Sequence, residues 1–86
     1  MLVHIPSPLR HYTGGVSQVD AQGSSVSELL NDLDNKYSGI KFRMIDEHDR
    51  MRQHIKIFVN KNAVNSVAAP LSANDEVHII CALSGG

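Results

Sequence analysis

A chain of 86 residues can bury one hydrophobic core, so a single small domain is expected. A formal net charge of −1 excludes the strongly basic surface typical of nucleic-acid-binding domains, and no nucleic-acid partner is predicted. The single cysteine excludes an intrachain disulfide and favours the reducing cytoplasm. Residues 1–6 contain neither a basic segment nor a long apolar run, so we expect no signal peptide and no membrane span.

The N-terminal quarter predicts a β-hairpin. Apolar residues alternate along residues 1–5, which is the pattern of a half-buried strand. Pro6 and Pro8 end that strand because proline has no N–H to donate to a sheet. Residues 9–15 finish in two glycines and predict a turn, and residues 16–21 predict the returning strand.

One amphipathic helix follows the hairpin. Ser25 and Glu28 have the spacing of a capping box, in which the serine is the N-cap residue. Gly39 is suited to the position just after the helix. The apolar residues repeat at helical spacing and predict one buried stripe, formed by Val26, Leu29, Leu30, Leu33 and Tyr37.

The second half of the chain predicts more strands. Residues 40–53 are compatible with a short helical turn or an extended segment and include a solvated loop of mixed charge. Residues 54–60 alternate clearly, a turn follows at residues 60–62, and an edge strand is expected near Val64. Residues 76–83 predict the last strand.

The order of these elements favours an α+β fold of the β-grasp (ubiquitin-like) type. Such a fold packs a mixed sheet of four to five strands against one main helix. A ferredoxin-like sandwich is the competing fold, but it requires a second good helix, which the sequence does not indicate. The expected organisation is a β-grasp domain over residues 1–82 and a flexible Gly-Gly tail over residues 83–86.

The end of the chain adds a second signal. Gly85-Gly86 is weak evidence alone, since terminal glycine contributes no packing. At the end of a β-grasp order of elements, however, it makes the chain resemble the ubiquitin-like sulfur carriers of the MoaD/ThiS family. The resemblance covers essentially the whole chain, and three segments carry it: Leu83-Ser84-Gly85-Gly86, Asn74-Asp75-Glu76-Val77 and Ile57-Phe58-Val59-Asn60.

Further segments resemble the carriers that supply sulfur for cysteine biosynthesis. They are Ile5-Pro6-Ser7-Pro8-Leu9-Arg10, Thr13-Gly14-Gly15 and Tyr37-Ser38-Gly39-Ile40. Carriers for homocysteine or for sulfur-containing siderophores share overlapping motifs. Asn74 stands where the family often has glycine, but asparagine also tolerates a positive φ.

The resemblance implies a function at the C-terminal carboxylate of Gly86. An E1-like adenylyltransferase would activate this carboxylate with ATP, and a sulfur donor would convert it to a thiocarboxylate. Leu83, Ser84 and Gly85 would thread the tail into the partner's active site. The chain would be a protein co-substrate and not an enzyme, with ATP bound by the activating partner and no cofactor bound by the chain itself. Other implied partners are a cysteine-synthase-like sulfur acceptor and a zinc metalloprotease.

Other functions stay open at this point. A ubiquitin-like modifier would use the same activation and then form an isopeptide bond through Gly86. A sulfur carrier for molybdopterin or thiamine synthesis would have a similar tail. A passive ubiquitin-like interaction domain would have an incidental Gly-Gly, and a small enzyme is the least supported reading because no nucleophile–base pair is visible.

Two apolar residues are candidates for partner docking. Phe58 and Ile80 are expected on the sheet face opposite the helix, where exposed apolar groups often mark an interface. Isolated exposed apolar residues are also common and need no function.

The remaining candidate groups favour structural readings. Cys81 follows an apolar strand pattern and is expected to be a buried, inert thiol. Asp46, Glu47 and Asp49 are best explained as a solvated loop. The histidines show no metal-ligand spacing along the chain, and no metal site is predicted from them: His4, His11, His48, His54 and His78.

Overall fold

The computed structural model describes residues 1–82. The strands are β1 (Leu2–His4), β2 (Gln18–Asp20), β3 (Ile55–Val59), β4 (Asn62–Val64) and β5 (Glu76–Cys81). The helices are a 3₁₀ helix (Ser7–Thr13), α1 (Val26–Lys36) and α2 (Ile40–Met44). No helix in this part of the chain is long and apolar enough to cross a membrane.

The five strands form one mixed sheet in the order β2-β1-β5-β3-β4. β1 and β2 pair antiparallel, as do β3 and β4, so each outer pair is a hairpin. β5 lies between the hairpins, antiparallel to β3 and parallel to β1. This arrangement confirms the predicted β-grasp fold.

The main helix begins where the sequence predicts. Ser25 is the N-cap residue, and its hydroxyl accepts a hydrogen bond from the Glu28 N–H at 3.2 Å. The Glu28 carboxylate reaches back one residue further than a capping box requires, to the N–H and hydroxyl of Ser24. The pKa of Glu28 is accordingly lowered, first by the Ser24 backbone hydrogen bond.

One face of the sheet and one face of α1 enclose the core. Leu29, Leu30 and Leu33 are fully buried, and each such side chain contributes roughly 2 kcal/mol of hydrophobic free energy. Ile55, Ile57 and Val59 of β3 point into the core, as the alternation in the sequence predicts. The sheet supplies the opposite wall of the core through Val3, Val19, Ile55, Ile57, Val59, Val77 and Ile79.

Residues 7–13 correct the first predicted turn. They form a 3₁₀ helix, and Pro8 lies in its first turn, where no N–H donor is required. Leu9 is buried, and the Thr13 hydroxyl contacts the carbonyls of Arg10 and Val16, at 3.0 and 2.7 Å. The segment is therefore an ordered cap over one end of the core.

The region after α1 decides between the helical and extended alternatives for residues 40–53 and corrects the predicted position of Gly39. Residues 40–44 are helical, so the short helical turn was the right alternative. Gly39 (φ +96°) is the N-cap residue of α2, whereas α1 ends at Lys36 with Tyr37 as its C-cap. Phe42 is not an anchor of the core, because it is 57% exposed and lies beneath the Arg52 guanidinium.

Asn60 fastens the β3–β4 turn to the start of β5. Asn60 and Lys61 both have positive φ, as the two-residue loop of a type I′ hairpin requires. The Asn60 side chain accepts from the Glu76 N–H at 2.9 Å and donates to the Asp75 carboxylate at 2.7 Å. The Asn60 N–H also donates to the Glu76 carbonyl. This residue therefore fixes where β5 begins.

Two substitutions at Asn60 separate its hydrogen bonds from its backbone conformation. Asn60→Gly removes both side-chain bonds and is expected to lower the free energy of unfolding by about 2 kcal/mol. Asn60→Ala removes the same bonds but keeps a Cβ at positive φ, which glycine lacks, so it should lose about 1 kcal/mol more than Asn60→Gly. Urea unfolding of the two variants measures the difference, and equal losses would show that the positive φ carries no strain.

Candidate functional site

The described residues end just beyond the central strand, where the predicted tail begins. β5 ends at Cys81, and the Ala82 N–H donates to the His54 carbonyl at 2.7 Å. The predicted reactive residue Gly86 and the predicted threading residues Leu83, Ser84 and Gly85 lie outside the described residues. The structure therefore shows where the tail leaves the domain, which is the end of the central strand of the sheet.

A shallow groove lies beside this point of departure. It runs between the end of β5 and the 3₁₀ helix and is lined by Pro6, Pro8, Arg10, Ile80 and Cys81, among others. The Arg10 Nε donates to the Ile5 carbonyl at 2.9 Å, which holds the arginine against the end of β1. A cation is thus positioned close to the place where the tail leaves the sheet.

The face of the sheet opposite α1, called the open face below, carries the predicted docking residues. Ile80 is 45% exposed and Phe58 is half-buried. The strand register places Ile80 opposite Lys56 and Phe58 opposite His78, so the two apolar side chains are diagonal neighbours. Leu2, 40% exposed, belongs to the same face on β1. The predicted location of Phe58 and Ile80 is confirmed, and their docking role stays a prediction.

The open face also holds a polar cluster of His4, Glu76 and His78. The Glu76 Oε2 atom contacts the Nε2 atoms of both histidines, with a hydrogen bond to His4 and a 3.4 Å contact to His78. The imidazole rings are stacked, with centroids 4.0 Å apart and planes within 2° of parallel. The His4 hydrogen bond is the main cause of a lowered pKa of Glu76, and the nearby charges of His4, His78 and Lys61 act in the same direction.

Sequence reasoning missed this cluster. Its histidines come from opposite ends of the chain, and spacing along the sequence carries no information about their proximity. His4 and His78 become neighbours because they are paired positions of parallel strands. Only the β1–β5 register reveals the contact, and the inward–outward alternation of both strands is the signal that places the two side chains on one face.

The other candidate groups, Asp46 and Cys81, make contacts within the fold. The Asp46 carboxylate accepts the N–H groups of His48 and Arg50, at 2.8 and 3.0 Å, and closes the loop after α2. The Arg50 backbone hydrogen bond is the main cause of its lowered pKa. Cys81 is half-buried against the core, so the expected full burial of its thiol is not observed.

Comparison with known proteins gives matches along the whole chain. The family model described as "ThiS family" matches residues 3–86. The chain belongs to the ThiS family. The sulfur carrier protein CysO of Mycobacterium tuberculosis and that of Mycobacterium bovis are each 34% identical to it, with 98% of this chain and 96% of the relative covered.

Solved structures agree with this membership. A chain of the Amycolatopsis orientalis BexX/CysO complex superposes with a TM-score of 0.91 at 33% identity, with 99% of this chain and 98% of that chain covered. Mycobacterium tuberculosis CysO superposes with a TM-score of 0.90 at 32% identity, covering 95% of this chain and 98% of that one. Small archaeal modifier protein 1 of Haloferax volcanii, with a TM-score of 0.78 at 23% identity and covering 100% and 98%, shares the fold.

Proposed function

We propose that this ThiS-family chain is a sulfur carrier whose Gly86 carboxylate receives sulfur and delivers it to the synthesis of cysteine or a related thiol metabolite. The observation that carries the proposal is the similarity to the CysO sulfur carriers, which extends over 98% of the chain and is matched by the fold. In this role the chain is a co-substrate of its partners in the cytoplasm, and catalysis belongs to those partners.

The proposed chemistry begins with activation of an unreactive group. An α-carboxyl group has a reference pKa of about 3.5, so the Gly86 carboxylate is ionised at neutral pH and resists nucleophiles. An E1-like adenylyltransferase joins it to AMP from ATP and releases pyrophosphate. Sulfide then attacks the acyl carbon and AMP leaves; a persulfide donor would first form an acyl disulfide with Gly86, and a second thiol would then reduce its S–S bond to release the thiocarboxylate. The product is a Gly86 thiocarboxylate, whose sulfur is the nucleophile in the next reaction.

Two further partners complete the proposed route. A cysteine-synthase-like enzyme would add the thiocarboxylate sulfur to its own substrate. The product would still be joined to Gly86 of the carrier. A zinc metalloprotease would then cleave the product from Gly86 and regenerate the carboxylate. ATP is bound and consumed by the activating enzyme, so the carrier itself needs no nucleotide site.

The fold supports this role by fixing the base of the tail. β5 pairs with β1 over residues 76–78 and with β3 up to Cys81, and the Ala82 N–H adds one more bond beyond the strand. Residues 83–86, fully extended, reach roughly 13 Å from that point. Glycine at the last two positions keeps this arm narrow enough for a channel in a partner enzyme.

The open face is the surface that we propose the activating enzyme covers. Ile80 lies two residues before Ala82, so an enzyme that binds the tail also approaches Ile80 and its neighbour Phe58. Burying these side chains removes apolar surface from water, which stabilises the complex.

The reactive role of Gly86 is tested by adding one methyl group. In Gly86→Ala the Cβ atom meets the walls of the adenylation channel, and misplacement by about 1 Å can lower a reaction rate on the order of 100-fold. ATP–pyrophosphate exchange, measured with the E1-like enzyme, should fall accordingly. Asn35→Ala, on the exposed side of α1, should exchange like the wild type. Equal exchange by Gly86→Ala and wild type would contradict the proposed site.

The docking role is tested with two exposed apolar residues. Ile80→Glu places a charge on the open face and should weaken binding to the E1-like enzyme by more than about tenfold. Phe42→Glu places the same charge on α2, at a side chain that is at least as exposed, and should leave binding unchanged. Calorimetry measures both affinities and circular dichroism confirms folding. Equal affinities would show that the open face is not the docking surface.

A further inference from the structure

The cluster of His4, Glu76 and His78 brings three potential metal ligands to one point. One imidazole nitrogen of each histidine and a Glu76 carboxylate oxygen lie within 4.8 Å of one another. Glu76 precedes His78 by two residues, so both point to the same face of β5, and His4 is the register partner of His78 on β1. No ion is required to assemble this set, because the sheet hydrogen bonds already do so.

The donor types fit zinc, and so does the spacing of one of the two contacts that Glu76 makes with the histidines. Two imidazole nitrogens and one carboxylate oxygen are a ligand set that Zn²⁺ accepts with one coordination position left open. With metal–ligand bonds of about 2.05 Å, neighbouring donors of a tetrahedron lie about 3.3 Å apart. The 3.4 Å contact between His78 Nε2 and Glu76 Oε2 already has this spacing.

The remaining adjustment is a rotation of side chains. Parallel stacked rings do not direct both Nε2 lone pairs at one ion, so the imidazoles must tilt toward each other. The side chains of His4, His78 and Glu76 are 25%, 37% and 47% exposed, which leaves room for that tilt. The backbone of Glu76 needs no change, since Asn60 fixes both its N–H and its carbonyl.

We propose that His4, Glu76 and His78 form a binding site for Zn²⁺ or a similar divalent transition metal. Three ligands come from the chain, and the fourth position faces outward from the open face. A water molecule would occupy that position in the isolated protein. The position borders the surface formed by Phe58 and Ile80, so a donor group of a covering protein would reach the ion from that side.

The test is calorimetric titration of Zn²⁺ into the full-length chain after treatment with a chelator. The wild type should bind one Zn²⁺ per chain. His4→Gln, Glu76→Gln and His78→Gln should each weaken binding by more than about tenfold, because each removes a direct ligand, a larger loss than that of an outer-shell partner. His11→Gln, His54→Gln and Cys81→Ser should bind like the wild type, since these side chains lie outside the cluster.

A second measurement on the wild type does not depend on the folding of variants. In NMR spectra, Zn²⁺ should shift the imidazole signals of His4 and His78 and leave those of His11, His48 and His54 in place. Wild-type affinity in all three ligand variants would overturn the proposal. Loss of Zn²⁺ binding in the His54 or Cys81 variant would also overturn it. The same holds if one ion is shared between two copies of the chain, giving fewer than one ion per chain, or if no Zn²⁺ binds.

Discussion

The parallel pairing of β1 with β5 is the contact on which the rest of this structure depends. It joins the first strand of the sequence to the last, and without it the β1–β2 hairpin would be a separate ribbon beside the three-stranded sheet of β5, β3 and β4. Two-stranded ribbons are at best marginally stable in water, whereas one five-stranded sheet provides a wall against which α1 can bury its leucines. The same pairing aligns Val3 with Val77 inside the core and His4 with His78 outside it.

The pairing of β5 also gives the proposed reactive arm a fixed base. A strand at the edge of a sheet frays easily, but β5 is the central strand: residues 76–78 pair with both β1 and β3, residues 79–81 pair with β3, and Ala82 is still bonded to His54. The proposed arm therefore starts from a fixed point beside Arg10 and Ile80. A partner that recognises the open face would receive the tail in a defined direction, and this would position the proposed reactive carboxylate for that partner.

Local signals in the sequence predicted most of the fold. The alternation at Ile55, Ile57 and Val59 and the cap at Ser25 depend on neighbours within one element, so the sequence alone revealed them. The 3₁₀ helix at residues 7–13 was mistaken for a turn, because proline and glycine punctuate both structures. The contact of Phe42 with Arg52 joins two separate segments, and the histidine cluster depends on the β1–β5 register. Such contacts between distant segments leave no pattern in the linear sequence. The role of Gly86 is inferred from the family resemblance. Because this residue lies beyond the described residues, its role stays a prediction.

The most direct test of the account is the intact mass of the carrier after incubation with its E1-like enzyme, ATP and a sulfide donor. A sulfur carrier should gain the mass that corresponds to the replacement of one carboxylate oxygen by sulfur, located at Gly86 by fragmentation. The increase should disappear when ATP is omitted. An unchanged mass in the complete reaction, or a ladder of conjugates joined to lysines with no thiocarboxylate, would contradict a sulfur-carrier function.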